Sequence, residues 1–300
     1  MIPHKVICFG EILWDNFPNK IVPGGAPLNV AFHAKNLGLN TILYSAIGND
    51  QPGRKLLQFI NEIGLNNEFI EIQEEYPTGS VTVNIENPKE VSYTIDGPSA
   101  WDHIKESILL ANTLEATDIL VFGTLSCREI ESRTALNSIL QSPAYKVMDL
   151  NLRPPHYDKK LVEHLLLHTD LLKVNREEYE QLKNWFSING DAKKGFDDLV
   201  SLFGLDALVI TSGSKGSRYL SHNADVVSKV FEIDCVDTVG AGDSFLAALI
   251  YGKLSKFDQQ YMVDFASGLG ALVAGKMGAT PKLSEEEIVS FINQISPCIN

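Results

Sequence analysis

The chain has 300 residues, 44% of them apolar and 21% charged, and carries a net charge of −13. A chain of this length buries roughly three quarters of its unfolded surface, so neither disulfides nor a structural metal are needed for folding. The acidic balance excludes a nucleic-acid partner, whose phosphates demand a positive surface, but it leaves room for ATP held by local amides and one cation.

Met1-Ile2-Pro3-His4-Lys5 leads straight into residues 6–10, which read as a buried strand, with no signal-peptide apolar region before them. No later run approaches the ~18 apolar residues of a membrane span. A cytoplasmic protein without membrane contact is expected. Residues 26–37 read as a helix, with Pro27 in its first turn and Gly38 just past its end. A strand over 41–47 follows, then a helix over 53–63 that stops at Gly64. Residues 79–86 and 90–95 alternate with period two and join through Asn87-Pro88-Lys89, the pattern of a hairpin. Such a hairpin is either an edge ornament or a lid over a site. Strands are expected at 119–123, 146–150, 171–174 and 207–211, separated by helices. The last third reads as helices over 241–251, 258–276 and 284–295, the last opened by a Ser284/Glu287 capping box. Alternating βα units imply a mainly parallel sheet covered on both faces. Cys8, Cys127, Cys235 and Cys298 form no C-x-x-C pair, which fits buried free thiols in a reducing compartment.

Asp237-Thr238-Val239-Gly240-Ala241-Gly242-Asp243-Ser244-Phe245 carries the strongest chemical signal. Two glycines and an alanine just before an apolar helix let backbone N–H groups crowd together, and the helix dipole adds positive potential. Asp243 beside that anion hole can take a proton from a hydroxyl while the amides hold the charge of a moving phosphoryl group. Without a ligand, the same pattern is a Gly-rich turn before a helix with an acid as its cap.

The segment resembles the C-terminal signature of the ribokinase-like, or PfkB, carbohydrate kinases. Gly24-Gly25-Ala26-Pro27-Leu28-Asn29-Val30-Ala31 resembles the N-terminal signature, and the two stand in the family's order with further matches between them. The resemblance covers essentially the whole chain. It implies a three-layer α/β sandwich with a small β lid, one kinase domain over 1–300 with lid segments at about 11–23 and 73–98. It further implies that Asp15, Gly25 and Asn29 orient a sugar, and that Arg153 in Asp149-Leu150-Asn151-Leu152-Arg153 reaches acceptor and phosphate. A forked guanidinium suits phosphate oxygens. Asn175 and Glu178 resemble the pair that organises Mg2+ and phosphates through water; Glu177 reads as a helix N-terminal acid. Thr211, Gly213 and Gly216 resemble a nucleotide loop, alongside Gly240 and Gly242. As ordinary structure, Asp15 is a turn acid, Arg153 a surface arginine, Glu178 a helix-start acid and the Gly213/Gly216 loop a hairpin turn. The resemblance also implies Asp243 as base, the amides of Gly240, Ala241 and Gly242 as anion hole, a monovalent cation such as K+ near Asp237, Thr238 and residues 276–278, and a homodimer through the lid.

The Gly-Gly-Ala-Pro-x-Asn form is closest to fructokinases, so D-fructose is the expected acceptor, with ribose, 2-keto-3-deoxygluconate and adenosine as alternatives. A non-catalytic sugar- or nucleotide-sensing protein is the alternative from another class, although both Asp243 and the glycines are retained. Ala247 and Ala248 stand where relatives often carry glycine, which questions close helix packing there. Three patterns are set aside. Residues 270–277 nearly spell a Walker A loop, but Met277 replaces its Ser/Thr and the stretch is apolar and helical. His164 and His168 share a helix face without the glutamate of a zinc protease. Trp101-Asp102 reads as a core tryptophan and helix cap, although similar segments follow the lid in fructokinases.

Overall fold

The computed structural model describes residues 4–87 and 90–295, so Pro88, Lys89 and Cys298 lie outside the described residues. In chain order come β1 (Lys5–Phe9), β2 (Leu13–Phe17), β3 (Lys20–Gly24), α1 (Ala26–Asn36), β4 (Asn40–Gly48), α2 (Gln51–Glu62) and β5 (Ile70–Gln73). The middle holds β6 (Gly79–Asn87), β7 (Glu90–Ile95), α3 (Ile108–Thr113), β8 (Ile119–Gly123), α4 (Ile130–Leu140), β9 (Tyr145–Asp149) and α5 (Lys159–Leu166). Then follow β10 (Leu171–Asn175), α6 (Arg176–Phe186), α7 (Ala192–Phe203), β11 (Ala207–Thr211), β12 (Ser217–Ser221) and β13 (Ala224–Val227). The chain closes with α8 (Ala241–Leu254), α9 (Gln259–Ala274) and α10 (Glu285–Ile295).

Nine strands form the main sheet in the order β13-β12-β11-β10-β9-β8-β1-β4-β5, all running the same way except β12, which is antiparallel to both its neighbours. Its two faces are legible in β1 alone. Val6 and Cys8 pack into one core with residues of α1, α2, α8, α9 and α10, while Ile7 and Phe9 pack into the other with α3 to α7. A strand buried on both faces needs apolar residues at every position, as Val6-Ile7-Cys8-Phe9 supplies. The result is the expected helix–sheet–helix sandwich. Ala247 and Ala248 are fully buried, so the extra methyls are absorbed where α8 meets its neighbours.

Four strands leave this pattern. β3, β2, β6 and β7 form a separate sheet, with β2 parallel to β6 and the outer pairs antiparallel. Its apolar face gathers Leu13, Val81 and Val83 with Phe17 and Ile95. Two strands therefore follow Gly10, and the first of them, β2, pairs with the hairpin read from the sequence.

The base of that sheet is tied to the core by a buried cluster. Arg128 grips Asp102 through Nε and Nη2, both at 2.6 Å, and its Nη2 also donates to the Asp96 carbonyl at 2.9 Å. Its guanidinium lies 4.2 Å over the Trp101 ring, and both Trp101 and Asp102 are fully buried. Removing one partner of a buried ion pair leaves the other charge without compensation, at about 3–5 kcal/mol. Arg128→Ala is expected to lower stability by that order, read as a drop in the denaturation midpoint at unchanged slope; a midpoint within error of the parent protein refutes it.

Some local expectations shift. α9 ends at Ala274 rather than 276, and His168 lies beyond the end of α5, though its ring stays 5.3 Å from that of His164. Cys8 and Cys127 are buried, but Cys235 is exposed because its segment crosses the surface before α8. The Ser284/Glu287 capping box is present, each side chain accepting from the other residue's amide. No helix among the described residues is long and apolar enough to cross a membrane.

Candidate active site

The carboxyl ends of parallel strands are where open α/β sheets accept ligands. Here Gly10 and Glu11 follow β1, Asp149 ends β9, Asn175 ends β10 and Thr211 ends β11. The N-terminus of α8 opens beside them.

α8 starts at Gly240, whose φ of 78° places it in the left-handed region. A Cβ at Gly240 would stand 2.6 Å from both the Cα and the carbonyl oxygen of Ala279, so only glycine lets the two segments meet. Asp237 fastens the same turn, accepting from the amides of Val239 and Gly278, each at 3.1 Å. Buried His33 on α1 holds Ala279 from the other side, Nε2 to carbonyl at 2.8 Å. A carbonyl only accepts, so Nε2 carries the proton, and burial lowers the ring's pKa to about 4, which keeps it neutral. The Ala241 amide spends a 3.3 Å bond on Thr238, whereas those of Gly242 and Asp243 have no backbone acceptor among the described residues. First-turn amides lack intrahelical partners, so these two donors stand free at the start of α8, where an anion could be received.

Asp243 is set by its neighbours. Asn29, one helical turn before His33, donates Nδ2 to Asp243 Oδ2 at 2.8 Å. That leaves Asn29 Oδ1 as a buried acceptor with no partner among the described residues, a position a ligand hydroxyl would satisfy. Burial raises the pKa of Asp243 to about 6, helped by Asp149 and opposed by Lys173, the Asn29 bond and Arg153. Asp15 on β2 lies with its carboxylate against Gly24, and burial, then the charge of Asp243, push its pKa to about 6 as well. Glu11 reaches about 7, mainly by burial, with Arg153 pulling it down and Asp243 up. The carboxyls of Asp15 on β2 and Glu11 at the end of β1 thus both feel that of Asp243 on α8, and all three feel one exposed guanidinium, Arg153.

Opposite them, Lys173 Nζ meets Asp149 Oδ2 at 2.6 Å, with both side chains buried. Glu178 is also buried, and its two oxygens accept from the amides of Asn175 and Leu152, each at 2.8 Å. With Asn175 Oδ1 accepting from the Glu178 amide at 2.9 Å, this is a complete capping box at the start of α6. Each carboxylate oxygen keeps a further lone pair for water. Exposed Glu177 is an ordinary first-turn acid. Thr211, Gly213 and Gly216 form the turn between antiparallel β11 and β12, with positive φ of 55° and 83° at the two glycines. Of the near-Walker stretch, residues 270–274 are packed helix, with Gly270 against Ala241, whereas 275–277 lie past the end of α9 and Met277 is exposed.

The structure thus brings Asp15, Asn29 and Arg153 within electrostatic or hydrogen-bond reach of Asp243, with Gly25 at the start of the helix that carries Asn29, and places Asn175, Glu178 and the 211–216 turn at the ends of β10 and β11. Lys173 and His33 are not marked as site residues by the sequence. A lysine inside an otherwise apolar strand was the available signal for Lys173; for His33 none exists without the tertiary contact.

The pfkB family carbohydrate kinase pattern matches residues 6–286. The chain belongs to the pfkB family of carbohydrate kinases. Among similar family proteins, fructokinase-2 of Oryza sativa subsp. japonica is 26% identical over 313 residues, 94% of this chain and 91% of the relative. Fructokinase-2 of Zea mays is 26% identical over 311 residues, covering 93% and 91%. The fructokinase from Xylella fastidiosa with bound ATP shares the fold at a TM-score of 0.84 and 22% identity, covering 97% of this chain and 98% of that one. The 2-dehydro-3-deoxygluconokinase from Thermotoga maritima does so at 0.82 and 22%, with the same coverage of 97% and 98%. As a pfkB kinase, this chain is a phosphotransferase acting on a sugar.

Proposed function

We propose that the protein transfers the γ-phosphate of Mg·ATP to a primary hydroxyl of a small uncharged sugar, D-fructose before others. Asp243 carries the proposal: a carboxylate with pKa raised to about 6, at the mouth of two free amides and beside the unpaired Asn29 Oδ1. The fructokinase names of relatives spanning nearly the full chain support fructose, as does the Gly-Gly-Ala-Pro-x-Asn form.

Asp15, Gly25 and Asn29 orient the sugar, and Asn29 Oδ1 accepts from one of its hydroxyls. Asp243 takes the proton of the attacking hydroxyl, whose oxygen bonds to the γ-phosphorus as the bond to the ADP oxygen breaks. The amides at Gly240 to Asp243, chiefly Gly242 and Asp243, receive the developing charge, and Arg153 assists. Mg2+ enters with the nucleotide as part of the substrate, and Asn175 and Glu178 reach it through water. Thr211, Gly213, Gly216, Gly240 and Gly242 hold the nucleotide. A monovalent cation, K+ among them, fits the oxygen donors around Asp237, Thr238 and residues 276–278.

Residues 1–300 act as one kinase unit, with segments 11–23 and 73–98 as a lid that excludes water from the transfer. Exposed Ile21 and Tyr93, on the outer strands of the small sheet, support a homodimer through that lid. The cytoplasm, where ATP and free sugar meet, is the proposed compartment.

Coupled ADP release with Mg·ATP and fructose, ribose, 2-keto-3-deoxygluconate, tagatose and adenosine tests the proposal. Fructose should lead; a different leader refutes the acceptor, and no turnover on any despite ATP binding refutes the transfer itself. The pH profile gives a second test. Asp243 acts ionised and its pKa is raised, so kcat/KM should be full above about pH 6 and lost as pH falls through it. Asp15 titrates in the same range, so the acid limb should be steeper than one proton. A profile flat down to pH 5 contradicts Asp243 as base.

A further inference from the structure

We infer that Lys173 is a catalytic residue: its ammonium, held by Asp149, donates to the phosphoryl group as it moves between ATP and sugar. Lys173 sits on β10, between β9 and β11, where both faces of the sheet are buried. An ionised lysine is costly there, and such positions are almost always apolar. The parallel register sets Lys173 opposite Asp149, and the 2.6 Å ion pair follows from that pairing. Burial would lower the pKa of Lys173, but Asp149, and beyond it Asp243 and Glu178, hold it above the ordinary value. The group therefore stays a cation.

An ammonium has three N–H donors, and only one of them has an acceptor among the described residues, Asp149 Oδ2. Nζ also lies beside the anion hole. A Cβ at Gly242 would be 3.4 Å from it, an ordinary contact distance, so the ammonium lies directly against the first turn of α8. The remaining donors and the amides of Gly242 and Asp243 thus share one neighbourhood, suited to the anionic phosphoryl group of the proposed reaction. Without Lys173, an incoming phosphoryl group would meet Asp149, Asp243 and Glu178 with exposed Arg153 as the remaining cation acting on Asp243 among the described residues.

Lys173 exchanges no proton in this role. The sugar oxygen–phosphorus bond forms, the phosphorus–ADP oxygen bond breaks, the hydroxyl proton passes to Asp243, and Lys173 stabilises the charge between them. A buried ion pair contributes little net stability and can often be replaced by apolar residues, so structure alone does not account for the lysine.

Resting on Asp243 as base, the inference is tested by Lys173→Met, Lys173→Arg and the double variant Asp149→Leu/Lys173→Met, in which no buried charge is left unpaired. Loss of one preorganised donor to a transition state costs about 10²–10³ in kcat. Lys173→Met should lose at least about 10²-fold in kcat with the KM for both substrates within a few-fold. Lys173→Arg should recover part of the loss. The acid limb of kcat/KM should move to higher pH in Lys173→Met, because the cation that lowers the pKa of Asp243 is gone. The double variant should melt cooperatively near the parent and remain as slow as the single one. Recovery of activity in the double variant, or turnover of Lys173→Met near that of the parent, overturns the role. Normal activity in Asp243→Asn would instead remove the base while leaving the kcat loss of Lys173→Met to stand.

Discussion

Asp243→Asn should lose at least about 10²-fold in kcat while binding ATP as the parent does. The change is isosteric, and an amide oxygen at the same place can still accept from Asn29 Nδ2, so the 2.8 Å contact that seats α1 against α8 need not break. The amides of Gly242 and Asp243 belong to the backbone and are untouched. Only the proton acceptor is removed, because an amide has no basicity near pH 7. ATP affinity by calorimetry, together with steady-state kcat, separates the two effects. The acid limb centred near pH 6 should also lose the contribution of Asp243. Turnover within tenfold of the parent would sink the assignment of the base.

Gly25→Ala is expected to cost about 10²-fold in kcat/KM, mostly through the sugar. Gly25 has φ 106° and caps the start of α1, and a Cβ there would overlap the Glu11 carbonyl oxygen. An L-residue held in a left-handed conformation costs roughly 1–2 kcal/mol. The overlap is with backbone, so the start of α1 must move instead. Asn29 lies one turn along that helix, and its own amide bonds to the Gly25 carbonyl at 3.0 Å. A displacement of about 1 Å at a positioning group can cost about 10²-fold. Gly38→Ala is the control: its φ is 85°, but a Cβ would meet nothing within 4 Å. That variant should lose stability by about 1 kcal/mol from strain and keep its activity. Equal activity losses in both would mean that strain, not the Glu11 overlap, is what matters.

The chemistry legible in the sequence was carried by backbone demands. Gly240 and Gly242 in Asp237 to Asp243, and Gly24-Gly25 before Pro27, announce close approach and helix starts, because few other residues permit them. The βα alternation gave the sandwich for a similar reason, since parallel strands buried on both faces must be apolar throughout. The hairpin was visible, but the β2–β3 ribbon beside it was not, because Trp14-Asp15-Asn16 lacks an apolar run and is held as a strand by pairing with β3 and β6.

What tertiary structure decided were the contacts between residues far apart in the chain. Lys173 faces Asp149 because β9 and β10 pair in one particular register; a shift of one residue would point it into the opposite core. His33 acts on the anion-hole turn only because α1 crosses the 278–279 segment, which no local pattern encodes. Arg128 owes its place to Asp102 and to the Trp101 ring, both upstream of β8. The raised pKa values of Asp243, Asp15 and Glu11 likewise require folding, since burial supplies their largest cause and exists only once the layers have closed over them. The sequence by itself determined where backbone could turn and which faces had to be buried; packing decided which charges would meet, because Coulomb energies depend on distances that only the assembled sheet defines.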